Sequence, residues 1–95
     1  MRGGEYLDEI VCMGKVFRTL RRARSLSQID IAYQAHLNLS YYSRIERGEG
    51  NPTIKTVMKI LDTLDIQSEE YWGMVALEKQ NYSNDPRPHE LKDPA

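Results

Sequence analysis

Leu39, Ser40, Ser43, Arg44 and Arg47 carry the most usable chemistry in this chain, because their spacing gathers them on one side of a helix. Projected at about 100° per residue, they face one way while Tyr42, Ile45 and Glu46 face the other. A surface of small, polar and cationic side chains with one leucine suits a DNA groove. Arginine forks onto guanine, serine bonds to either partner, and an apolar tip meets a thymine methyl. Arg44 is assigned to a base edge or an adjacent phosphate. Asn38 caps this helix, and Gly48 ends it as a left-handed residue. A shorter helix pattern precedes it, with Ser27 as N-cap, Asp30 as the capping-box acid, and Gln28 beside the orphan backbone N–H groups with its side chain free. Gln28 and Lys55 are therefore expected at the DNA backbone.

Each of these two helices needs a reason to stay where it is. Ile31, Ala32 and Ala35 form the inward side of the first, Ala32 being small where the second crosses, and Leu37 plugs the corner between them. The whole stretch over residues 26–48, LSQIDIAYQAHLNLSYYSRIERG, resembles the helix-turn-helix (XRE-type) family of phage repressors and Cro. The likeness rests on Leu26-Ser27-Gln28, Ile31-Ala32, Tyr41, Ser43-Arg44-Ile45-Glu46-Arg47-Gly48 and Asn51-Pro52, and with its flanks spans residues 13–66. Five helices, a compact length and an apolar last helix give a further likeness to restriction-modification controller proteins. The resemblance implies an all-α fold, a compact five-helix lambda-repressor-like DNA-binding domain with its helix-turn-helix at the second and third helices. It also implies that Arg21 pairs with Glu46. Glu46 faces inward beside Tyr42, and a buried carboxylate without a cation is costly, so the physics asks for such a partner. Three positions depart from the family pattern: His36 replaces the corner glycine, Ser25 replaces a helix-ending glycine, and Leu39 replaces a polar reader. Histidine tolerates a left-handed backbone at modest strain.

Composition sets the outer limits. A chain of 95 residues fits one domain with a core just large enough to fold alone. The net charge of −1 is unevenly distributed: residues 14–55 hold eight cations against three anions, and both flanks are acidic. A cationic face on an acidic body is the footprint of a DNA binder, although a merely solvated helix surface has the same composition. The sequence contains neither a membrane-spanning run nor a secretory signal, so a cytoplasmic location is expected. Cys12, the single cysteine, excludes an intramolecular disulfide and is read as a small buried apolar residue. His36 and His89 are too far apart and too poorly accompanied for a metal site. No nucleophile, base and orienting acid cluster is present, nor a phosphate-binding glycine loop. The expectation is no enzyme, no cofactor and no metal.

The flanking elements follow from periodicity. Residues 1–4 are expected to fray, and residues 5–24 to form the first helix around Ile10, Met13, Val16, Phe17 and Leu20, with the segment before Gly14 a separable extension. Thr53 caps a helix whose inward stripe is Ile54, Val57, Met58, Leu61 and Leu64. Ser68 opens a last helix to about Gln80, so the domain spans residues 5–80 and residues 81–95 form a disordered tail. Tyr71, Trp72, Met74, Val75 and Leu77 cover more than one stripe, more than one small core can take, and Tyr71, Trp72 and Val75 are expected to pair two copies. These features predict a homodimeric, sequence-specific transcriptional regulator on a near-palindromic operator in double-stranded DNA. The alternative, motivated by the acidic tail, is an antitoxin-like module that neutralises a partner protein.

Overall fold

The computed structural model describes residues 3–84 and the side chains of residues 8–82. These residues form five helices and no strand: α1 (Gly3–Ala23), α2 (Gln28–Gln34), α3 (Leu39–Glu46), α4 (Ile54–Leu64) and α5 (Ser68–Asn84). Three starts are capped by the side chains that the sequence offers. Ser27 Oγ accepts from Asp30 N at 3.0 Å while Asp30 Oδ2 accepts from Ser27 N at 2.8 Å, closing the capping box on α2. Asn38 Oδ1 accepts from Tyr41 N, and Thr53 Oγ1 from Thr56 N, both at 3.1 Å.

The ends of α1 to α4 share one device. Ser25, His36, Gly48 and Asp65 all have positive φ, at 56°, 58°, 75° and 56°. The next residue then sends its N–H back five positions: Leu26 to Arg21, Leu37 to Ala32, Glu49 to Arg44 and Ile66 to Leu61. This satisfies carbonyls the helix leaves open and turns the chain sharply. Leu26, Leu37 and Ile66 also pack against the core, so three of the four corners are plugged by an aliphatic side chain.

The core gathers Phe17, Leu20, Ile31, Tyr42, Ile45, Leu61, Leu64 and Tyr71 from all five helices. On α4 the expected stripe is rotated. Val57, Ile60, Leu61 and Leu64 are buried, whereas Ile54 is 68% and Met58 47% exposed. Two apolar stripes compete on this helix, and a core that accepts only one arc takes the set repeating through Ile60.

α1 is one continuous helix through Gly14, so the segment before it is not separable. α5 holds it there. The Tyr71 ring stacks on Phe17 with centroids 4.6 Å apart, and its hydroxyl donates to the Met13 carbonyl at 3.2 Å. Lys79 Nζ lies 2.9 Å from Glu9 Oε1, and Lys15 Nζ sits 5.1 Å from the Tyr82 ring centroid. These contacts carry α5 to Asn84, past the expected end at Gln80, and α1 begins at Gly3 rather than Glu5. The rest of the expected tail lies outside the described residues. Cys12 is fully buried, as expected, and burial together with nearby Glu78 pushes its thiol up to about 11, so it stays protonated.

Candidate nucleic-acid interface

α3 divides along its length into a solvent face and a core face. Leu39, Ser40 and Arg44 are exposed, Ser43 and Arg47 half-buried, and Tyr42, Ile45 and Glu46 buried. Asn38, exposed before the first turn, commits Oδ1 to the cap and leaves its amide donors outward. Arg47 Nη1 donates to Ser43 Oγ at 3.0 Å, and Arg47 Nε lies 3.3 Å from Glu49 Oε1. Two expected contact residues thus brace each other, and Glu49 pairs with one of them. Lys55 stands exposed in the first turn of α4.

The core face is organised by Glu46, whose side chain is fully buried. Arg21 Nε donates to Oε2 at 2.6 Å and Arg21 Nη2 to Oε1 at 3.1 Å. The Tyr42 hydroxyl donates to Oε2 at 2.5 Å, and Gln28 Nε2 to Oε1 at 2.9 Å. Burial alone would push this carboxyl up, but the hydrogen bonds from Arg21, Tyr42 and Gln28 outweigh it and hold Glu46 below the usual carboxylate range. The bond to Glu46 in turn raises the Arg21 guanidinium, and burial, reinforced by Glu46, keeps the Tyr42 hydroxyl protonated as a donor. Arg21 Nη1 also donates to the Leu26 carbonyl at 2.9 Å. One carboxylate therefore ties α1, α2 and the corner between them to α3, with every strong acceptor site answered.

Two residues in this network depart from expectation. Gln28 does not hold its side chain free at the start of α2: Glu46 takes one of its amide N–H groups, because a buried carboxylate draws in every donor within reach. Arg18, for which the sequence suggests no partner, also joins the network, its Nε within 3.7 Å of Glu46 Oε1. The i, i+3 spacing of Arg18 and Arg21 was the available signal.

Gly14 is the positional residue that sequence reading missed. A Cβ there would stand 2.7 Å from the Glu46 carbonyl oxygen and closer still to that of Ile45, so α1 crosses the last turn of α3 at backbone contact. Gly48, with positive φ, faces Val11 in the same way, its missing Cβ 3.0 Å from the Val11 Cα. A mid-helix glycine that costs roughly 1 kcal/mol against alanine is itself a sign of a close crossing.

The expected dimer contacts need correction. Tyr71 and Val75 are fully buried in the chain's own core, and only Trp72, edge-on to Tyr71 at 5.0 Å, keeps a partly exposed surface. α5 turns its strongest apolar face onto α1, which leaves Tyr71 and Val75 nothing to offer a second copy. Among the described residues no group of three or more His, Cys, Asp or Glu could hold a metal, and no helix is long and apolar enough to cross a membrane.

Residues 17–71, more than half of the chain, match the Helix-turn-helix family model. This chain belongs to the helix-turn-helix family. It is 32% identical over 68 residues to the immunity repressor protein of Bacillus phage phi105, covering 72% of this chain and 47% of that repressor. It thus spans about half the length of that relative. Among solved structures, this helix-turn-helix chain is similar to the restriction-modification controller protein C.Esp1396I, with a TM-score of 0.73 and 27% identity over 77% of this chain and 95% of the controller. The same controller, as a tetramer in complex with its natural 35 base-pair operator, matches at a TM-score of 0.71 and 28% identity, covering 76% and 95%. The controller C.AhdI from Aeromonas hydrophila matches at 0.63 and 35% identity, covering 65% and 94%.

Proposed function

We propose that this protein is a sequence-specific DNA-binding transcriptional regulator, a controller or phage-type repressor, acting as a homodimer on a near-palindromic operator. The observation that carries the reading is the division of α3: Leu39, Ser40 and Arg44 point outward, while the core-facing Glu46 is fully satisfied by its own chain. An exposed recognition surface on an internally fixed helix is what base reading requires. Arg44 reads a base edge, Ser40 and Ser43 contact either partner, and Leu39 meets a thymine methyl. Asn38, Arg47 and Lys55 hold phosphates, and Gln28 does so with the amide N–H that Glu46 leaves over. The named repressor and controllers, one of them in an operator complex, support the same reading. The protein acts in the cytoplasm, beside its DNA.

One recognition helix covers only a few base pairs, too few to single out a site in a genome. A two-fold dimer places two such helices about 34 Å apart on one side of the duplex. We assign the second copy to the apolar surface that α4 leaves open at Ile54 and Met58, one turn apart. Binding selection from random duplexes with the purified protein tests this function. The expected result is enrichment of one near-palindrome with half-sites about ten base pairs apart; absence of any enriched sequence would overturn it.

A further inference from the structure

Two parts of the helical body lie outside the family match at residues 17–71: the first fourteen residues of α1, 3–16, and the last thirteen of α5, 72–84. They meet each other. Glu9 pairs with Lys79, and Lys15 lies over Tyr82. At the edge of the match, Tyr71 bonds to the Met13 carbonyl and stacks on Phe17. The front half of α1 also meets the far end of the recognition helix. Gly14 lies against the carbonyl oxygens of Ile45 and Glu46, and Val11 covers Gly48, where the chain turns left-handed out of α3. α1 is therefore held on one side by α5 and seats the last turn of α3 on the other.

We propose that these two outer segments form a clasp whose task is to position the recognition helix for base reading. The reasoning is geometric. α3 has only eight residues, and a helix that short has no stability of its own, so its orientation is set by what it packs against. Its front half follows the corner with α2, and Arg21 and Gln28 tie its last turn to α1 and α2 through Glu46. Its last turn, which carries Arg44 and leads to Arg47, rests on backbone contact at Gly14. Backbone contact has no rotamer to adjust, so a change in the seating of α1 passes directly to α3. Lys79 and Tyr82 belong to the clasp's latch and act as positioning residues, not as DNA contacts.

The proposal rests on the DNA-reading function, so its test needs one readout that is independent of DNA. Tyr82→Ala removes a latch ring without changing charge, and Gly14→Ala forces α1 and α3 apart at the seat. Operator and unrelated duplexes are titrated with wild type and both variants, while amide hydrogen exchange is followed residue by residue. The preference for operator over unrelated DNA should fall about threefold in Tyr82→Ala and about tenfold or more in Gly14→Ala, with binding to unrelated DNA nearly constant. Amides of residues 45–50 should exchange faster in Tyr82→Ala while those of the α4 core stay unchanged. If Gly14→Ala fails to fold, Tyr82→Ala decides alone, since it introduces no clash. Unchanged exchange at residues 45–50 in Tyr82→Ala, or a uniform rise along the chain, overturns the clasp. A wild type with no preferred duplex overturns the DNA-reading function instead, whatever the exchange data give.

Discussion

Arg44 and Glu46 stand two positions apart on α3 and answer opposite demands. Arg44 is exposed and available to a partner, so its removal should register in binding and not in folding. Arg44→Ala is predicted to cost about 1 to 3 kcal/mol of operator affinity and to relax one base position, measured by titration against single-base operator variants. A uniform loss across all sequences would move Arg44 to a phosphate, and no loss at all would remove it from the interface. Glu46 is the reverse case. Truncating its partner, Arg21→Ala, leaves a buried carboxylate short of its cation and should destabilise by about 3 kcal/mol or more, measured by denaturant unfolding. The network also predicts a pH dependence. A carboxyl held below its unfolded value stabilises the fold above about pH 4.5, its ordinary value, and that contribution is lost as pH falls through the lower folded value. Asp30, depressed by the Ser27 backbone N–H, acts in the same direction. Acid titration of the wild type should show stability falling only below that point, and Glu46→Gln, weaker at neutral pH, should show a shallower acid-side fall. A wild type whose stability drops steadily from neutral pH would sink the assignment.

At the scale of the element, the helix ends determine the shape of the corner. Four left-handed residues close α1 to α4, and only Gly48 is a glycine. Left-handed backbone costs a residue with a Cβ roughly 1–2 kcal/mol, offset in part by the roughly 0.5–1 kcal/mol of chain entropy that glycine loses on folding. His36→Gly should therefore raise stability by up to about 1 kcal/mol without moving α2 or α3, as thermal melts with unchanged operator binding would show. A loss of stability would mean that the exposed imidazole makes a contact worth more than the strain it carries. The same logic explains why His36 and Ser25 stand where family members often place glycine: an aliphatic residue follows each, Leu37 and Leu26, and packs into the core. The plug, more than the glycine, fixes the turn.

At the scale of the whole molecule, the question is which apolar surface meets a second copy. Tyr71 and Val75 are buried in the chain's own core, while α4 exposes Ile54 and Met58 and α2 exposes Ile29 and Tyr33. Met58→Glu is predicted to give a monomer that melts close to the wild type, because Met58 contributes little to the chain's own core, and to bind the operator more weakly through linkage. Sedimentation at micromolar concentration alongside operator titration measures both effects. If Met58→Glu remains dimeric while Tyr33→Asp becomes monomeric, the interface lies on α2. A wild type that sediments as a monomer and binds a single half-site at full affinity would end the two-fold model.

The helices, their caps and the faces of α3 were legible in the sequence, because capping residues, helical periodicity and the inward carboxylate act within a few positions of one another. Ser27, Asn38, Thr53 and Gly48 mark their own boundaries, and Glu46 beside Tyr42 announces that a cation must come. What only the tertiary structure decided were choices among elements. Periodicity assigned α4 one inward stripe through Met58 and α5 a surplus of apolar residues, without deciding which side chains the core would cover. Packing settled that by burying Ile60 in place of Met58, by turning Tyr71 onto α1 and by closing Val75 into the core. It also took up the side chain of Gln28, since the electrostatic demand of Glu46 reaches across three helices. Gly14 read as a weak point along the chain and proved to be a contact point between two helices, because a missing Cβ costs a helix locally and gains meaning only from the backbone lying opposite it.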